Sequence, residues 1–267
     1  MITLVLIYTA LLDIKYREVD PRIWYIAIPL VIILSIDDYK YIINTWQTNF
    51  QLHILGLAST MIVLLGLLIL YYADMIGGAD IFLLLMLILG YPASTTYYCK
   101  HVFICIIGSA NTPVSNYMPF ALIIVLNTII VALSLILAIG IVNVLVFRRH
   151  LERVPGIRRK LIYAISALPL KVGRIVTAKY WFPLEGCVSK DCSKRDYKDI
   201  YKISDEEEFV KEKEILKKML VEGVLSPDTR IWATYGLPFI ALVLAGFLLS
   251  MALSDILFTA MANQLFG

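Results

Sequence analysis

The sequence predicts an all-α polytopic membrane protein, with six transmembrane helices and a cytoplasmic insertion before the last helix. Three observations predict it. Of 267 residues, 60% are hydrophobic and 17% charged, whereas an average soluble domain is about 45–50% apolar and about 25% charged. Mean hydropathy is +0.78. The charges are also concentrated: 19 of the 24 Lys and Arg residues, and 13 of the 21 acids, lie between Arg148 and Arg230. The chain therefore divides into membrane helices 1–5 (residues 1–147), an insertion (148–230) and a last helix with an outer C-terminus (231–267). This composition excludes an ordinary soluble enzyme and a disordered chain. A net charge of +3 is too small to point to nucleic acid.

A helix needs about 20 residues to cross a bilayer core of about 30 Å. Span 3 (His53–Tyr72), span 5 (Pro119–Phe147) and span 6 (Ala233–Leu253) reach that length. Span 2 (Ile23–Ile36) is shorter but apolar, and Pro21 precedes it where a helix start tolerates proline. Span 1 (Ile2–Leu12) stops at Asp13, and span 4 (Ile81–Gly90) starts after Asp80. Neither crosses unless its helix continues through its aspartate. Residues 97–108 are too short and too polar for a seventh span and read as an interfacial or re-entrant piece.

Basic residues set the orientation. Lys15, Arg17 and Arg22 mark the 13–22 loop, and Arg148, Arg149, Arg153, Arg158, Arg159 and Lys160 mark the membrane edge of the insertion. The 37–52 and 91–118 loops carry only Lys40 and Lys100. Both termini then lie outside, and the 13–22, 73–80 and 148–230 segments face the cytoplasm. Within the insertion, Ser204 with Glu207 forms a capping box and Gly223 ends the helix. Phe209, Leu216 and Leu220 mark an apolar stripe, which packs on its own subdomain or lies on the membrane surface. Cys187 and Cys192 leave a disulfide or a metal open. No second pair of zinc ligands lies nearby, so neither a metal nor a cofactor is expected.

Asp13 and Asp80 carry the functional signal. Counted from the outer surface at 1.5 Å per residue, both lie roughly 17–18 Å deep. An aspartate mid-helix in lipid costs at least about 2.5–3.5 kcal/mol. Two at one depth, on different helices, point to function in a wet cavity. The bland alternative is a boundary aspartate in a helix cap or paired with Lys15 or Arg17. Gly77-Gly78-Ala79 before Asp80 leaves backbone open, so an extended peptide can approach. Two adjacent carboxylates share a proton. One then takes a proton from water while the other donates to a scissile carbonyl. Strong coupling needs roughly 4–6 Å, and the substrate-free protein is expected to hold the carboxylates further apart than that.

The stretch from Asp13 to Trp24 resembles the first catalytic motif of archaeal preflagellin and prepilin peptidases, class III signal peptidases of the GxGD aspartic protease group. Gly77-Gly78-Ala79-Asp80 resembles the second motif, with Ala79 where the group usually has glycine. Ile231–Phe239 is similar to the family's approach to its last span. The resemblance implies Asp13 and Asp80 as the catalytic pair, with the 77–79 backbone beside the substrate. It implies prepilin and preflagellin precursors as substrates, cut at the cytoplasmic face between a basic leader and a hydrophobic helix. Bacterial relatives also methylate and carry a cysteine-bearing loop near the first aspartate. Residues 14–22 have no cysteine, so peptidase activity alone is expected.

Asp74, six residues before Asp80, reads as a cap or a solvated boundary residue. Asp37, Asp38 and Asp255 read as solvated outer ends, and His53, His101 and His150 form no metal spacing. A proton- or ion-coupled transporter using Asp13 and Asp80 is the rival class, and a membrane scaffold is the third. Cysteine labelling of intact cells is expected to place residues 37–52 outside and 190–200 inside. The reverse pattern would put both aspartates on the wrong side for a leader peptidase.

Overall fold

A computed structural model describes residues 2–73, 77–101, 118–187, 195–198 and 206–254, with backbone alone at 52, 70, 99–101, 187, 195 and 206–209. The chain forms two compact units, residues 1–132 with 238–267, and residues 133–237.

The first unit is helical. It holds α1 (Ile2–Tyr16), α2 (Pro21–Leu34), α3 (Ile36–Thr45), α4 (Phe50–Tyr72), α5 (Gly78–Gly90), α6 (Thr95–His101), the first half of α7 (Phe120–Leu145) and the last helix, α12 (Phe239–Leu253). α1 runs through Asp13 and α5 begins before Asp80, so both short apolar segments continue through their aspartates. Asp20 starts α2 by accepting the Arg22 N–H at 2.9 Å, with Pro21 at the first helical position. α2 packs along α5 and α1 along α12, and α12 also touches α5. Leu6, Trp24, Val31, Leu83, Met86, Leu87 and Phe247 are fully buried between them.

Polar side chains pin this bundle at its ends. The Ser35 hydroxyl donates to the Gly90 carbonyl at 3.0 Å and Tyr39 Oη to the Leu89 carbonyl at 2.8 Å. Asp38, read from sequence as a solvated end, instead accepts from Tyr97 Oη at 3.1 Å and Tyr98 Oη at 2.8 Å. It lies on α3, a helix where a loop was expected. Charge made that stretch look like a loop, yet Asp37 and Asp38 suit the first turn of a helix.

Among the described residues, α7 is the one helix both long and apolar enough to cross a membrane by length and composition. Pro21–Leu34, His53–Ile69, Gly78–Gly90 and Phe239–Leu253 are shorter apolar segments. Helix α12 starts at Phe239, not at Ala233.

The second unit departs from the all-α expectation. After α7 come α8 (Arg148–Glu152), α9 (Ile157–Ser166), β1 (Ala167–Lys171), α10 (Val172–Thr177), β2 (Trp181–Pro183), β3 (Glu185–Cys187), β4 (Arg195–Tyr197), α11 (Glu206–Val221) and β5 (Arg230–Tyr235). Strands β1, β5 and β2 form an antiparallel sheet in that order, with Leu168 opposite Ala233 and Phe182 opposite Thr234. β3 pairs with β4. Side chains of β5 alternate. Ile231 and Ala233 pack with Val172, Ile175 and Leu216, while Trp232 packs with Val154, Tyr163 and Leu184. A central strand covered on both faces reads as a continuous apolar run, and this is why Ala233–Tyr235 resembled the start of a span.

Helix α11 thus packs on its own subdomain through Leu216, Met219 and Leu220. Gly223 ends it at φ 72, the left-handed conformation expected of such a cap. Ser204 of the expected capping box lies outside the described residues.

Helices α7 and α12 meet closely at Gly246, where an added Cβ would stand 2.6 Å from the Thr128 backbone nitrogen. Small residues permit such approach between membrane helices, and Asn127 Nδ2 adds hydrogen bonds to Ser250 Oγ at 2.8 Å and the Ser254 carbonyl at 3.1 Å. Gly246→Ala is expected to lower stability by about 1–3 kcal/mol through overpacking, read as a lower melting temperature in detergent. Gly66→Ala is the control, because a Cβ at Gly66 meets nothing within 4 Å.

Candidate active site

Asp13 sits three residues before the end of α1 and is 8% exposed. Its Oδ2 accepts the Ile240 N–H at 2.9 Å, a buried bond between residues 227 apart in sequence. Ile240 is the second residue of α12, and Pro238 at the N-cap supplies no side-chain bond. The first N–H groups of a helix have no partner within it. Asp13 therefore caps α12 from another helix, with its negative charge at the positive end of the α12 dipole. The cap alternative weighed for Asp13 is real, but the helix capped is the last one, not its own.

Arg17 follows at φ 60, a left-handed turn that ends α1. Its guanidinium lies within electrostatic range of the Asp13 carboxylate. Charge pattern suggested this neighbour, whereas the Ile240 amide had no signal in the sequence.

Asp80 is the third residue of α5, and its Oδ2 accepts the Gly77 N–H at 3.2 Å. Both aspartates belong to the same compact unit, where α1 packs along α12 and α12 touches α5. Among the described residues no hydrogen bond joins the two carboxylates; each is held by a different backbone N–H.

Gly77 and Gly78 are exposed, while Ala79 packs partly against the core. Gly77 has φ −77 and ψ 157, an extended conformation open to any residue. A Cβ added at Gly78 would meet nothing within 4 Å. Among the described residues, no close contact requires glycine at either position. What they leave is open backbone next to Asp80. Asp74, Cys192 and Asp255 lie outside the described residues, as does the Cys187 side chain. No group of three or more His, Cys, Asp or Glu side chains suited to a metal occurs among the described residues.

The cap can be separated from any chemistry by stability alone. Asp13→Asn keeps an oxygen to accept from Ile240 and is expected to melt near the parent. Asp13→Ala should lose about 1 kcal/mol. Equal melting of the parent and both variants would mean that the bond contributes nothing to holding α12.

The chain matches the type IV leader peptidase family over residues 1–141. Residues 159–256 match the archaeal peptidase A24 C-terminus, type II. No curated protein matches the chain. The first match holds both aspartates and the Gly77–Ala79 backbone, and the second takes in the whole of α12, whose Ile240 N–H donates to Asp13. The chain belongs to the type IV leader peptidase family, as an archaeal prepilin or preflagellin peptidase.

Proposed function

We propose that the chain is a membrane aspartic endopeptidase that uses Asp13 and Asp80 to activate water and remove the short basic leader of archaellin and type IV pilin-like precursors. What supports this reading is that Asp13 and Asp80 each accept from a backbone N–H at a helix N-terminus of one unit, Asp80 beside an exposed glycine backbone, in a chain of this family.

Within the pair, one carboxylate is ionised and takes a proton from the attacking water. The other is protonated and donates to the scissile carbonyl oxygen. The hydroxide adds to the carbonyl carbon. Collapse of the tetrahedral intermediate breaks the C–N bond: the proton taken from water passes to the leaving amine, and the carboxylate that donated to the carbonyl oxygen takes back a hydroxyl proton, which restores the pair. No covalent intermediate forms. The Ile240 N–H holds Oδ2 of Asp13 and so orients the carboxyl group for water and substrate. Gly77, Gly78 and Ala79 receive the peptide backbone on the other side. Closure of the two carboxylates onto one substrate accompanies binding.

The remaining assignments belong to the same reading. In this reading the chain crosses the membrane six times, the site lies toward the cytoplasm and both termini lie outside. There it meets the boundary between a soluble, basic leader and a hydrophobic helix. The activity is peptidase alone, with no methyl transfer, metal or cofactor. Transport through the same two aspartates is the competing reading, and membership of a peptidase family favours proteolysis.

Cleavage of a tagged prepilin by membranes carrying the chain tests this. Asp13→Asn and Asp80→Asn should each abolish the size shift, while Asp74→Asn should keep most of it. Gly78→Ala should leave melting unchanged or raise it by about 0.4–1 kcal/mol of stability and still slow cleavage. Equal loss at Asp74, or full activity in either of the other aspartate variants, would overturn the pairing.

A further inference from the structure

The basic segment after α7 takes no part in the peptidase site, yet it is built like a membrane contact. Asn143 on α7 donates through Nδ2 to the Ala164 carbonyl at 2.7 Å and the Ala167 carbonyl at 2.6 Å, capping the end of α9. Gly140 lies where α9 meets α7: a Cβ there would stand 3.7 Å from Ile165 Cγ2. From Gly140 to Leu145, the last residue of α7, the axis rises about 7.5 Å. The end of α9 is therefore fixed against the final turns of a helix apolar enough to cross a bilayer.

At that depth α9 exposes apolar side chains. Ile157 is 80% exposed, Leu161 64% and Ile165 45%, at a spacing of four that makes one stripe. Leu145 and Val146 are exposed beside the same junction. At about 100° per residue, Arg158 falls on one side of the stripe and Lys160 on the other. Helix α9 holds no acid. Arg149 and Arg153 are exposed on the segment before it, and Arg148 is paired with Glu152 at 3.0 Å. An open groove of about 340 Å³ is lined by Val144, Leu145, Arg148, Leu151, Glu152 and Lys160.

We propose that α8 and α9 form an interfacial segment that binds anionic membrane lipid. The Ile157, Leu161 and Ile165 stripe lies at the boundary between acyl chains and headgroups. Arg158, Lys160 and the exposed arginines of 149–153 hold lipid phosphates. Two features select lipid over a protein partner. The stripe is continuous with the end of an apolar helix, and the charged residues of α9 itself, Arg158, Arg159 and Lys160, are all positive, as suits an anionic surface. The long cationic side chains reach the headgroups while their stems cover apolar surface.

The test uses the full chain in nanodiscs containing a diazirine-bearing phosphatidylglycerol or phosphatidylcholine probe, with labelled peptides identified by mass spectrometry. Residues 157–165 should be labelled several-fold more than 171–179, a control stretch that also carries cations, and more by the anionic probe. Arg158→Gln and Lys160→Gln should each cut the anionic preference by about fivefold, while Arg174→Gln should not. Prepilin cleavage in detergent, unchanged by these variants, verifies their fold. Labelling of 157–165 no greater than the control, as expected if a protein covers the stripe, would overturn the proposal. Equal labelling by the two probes would also overturn it.

Discussion

The hydrogen bond from the Ile240 amide to Asp13 joins the first helix to the last, and two buried polar groups depend on it. The opening N–H groups of α12 need an acceptor, and Pro238 offers no side chain for the purpose. A carboxylate on α1 that is 8% exposed needs donors. Each satisfies the other. Because α1 packs along α12, and α12 touches α5, this bond also fixes one side of the framework against which Asp80 is placed. A residue proposed for chemistry is thus also a structural member, and either role by itself would explain an aspartate at this position.

The sequence drew attention to the residues proposed for the site and left their partners hidden. Aspartates interrupting apolar runs stand out because lipid penalises them, whatever the fold. Gly77-Gly78 stands out because small residues have a local meaning. The Ile240 amide does not, since any residue supplies an N–H and only packing decides which one faces α1. Asp38 misled for the same reason. Two acids with a lysine two residues on look solvated, but Tyr97 and Tyr98 reach Asp38 from about 60 positions away.

The insertion shows a second limit. Its helix α11 was legible from Leu216, Leu220 and Gly223, because amphipathic period and a glycine cap are local signals. The sheet was not. Each of its strands is short, and β5 is apolar on both faces because Leu216 and Val172 cover one side while Tyr163 and Leu184 cover the other. Apolar residues buried under protein and apolar residues facing lipid leave the same composition. The N–H of Trp232 shows which case applies. It donates to the buried Glu185 carboxylate at 3.0 Å, a partner that local sequence does not reveal.

Helix α5 brings these strands of argument together. Its C-terminal carbonyls at Leu89 and Gly90 are held by Tyr39 and Ser35, and its last residue sits so close to α2 that a Cβ on Gly90 would stand 2.5 Å from Val31 Cγ1. Its N-terminal start has the opposite character. Gly77 and Gly78 are exposed, Gly78 faces open space, and the first N–H of this turn is satisfied by Asp80 itself. One helix therefore has a locked end and an open end, and Asp80 belongs to the open one. In the proposed reading a peptide must reach Asp80 without unfolding its helix, so the mount has to be rigid where no substrate passes and bare where one does. Side chains larger than glycine at 77 and 78 would narrow that proposed access without meeting a close contact among the described residues, which is a physical reason for small residues before Asp80.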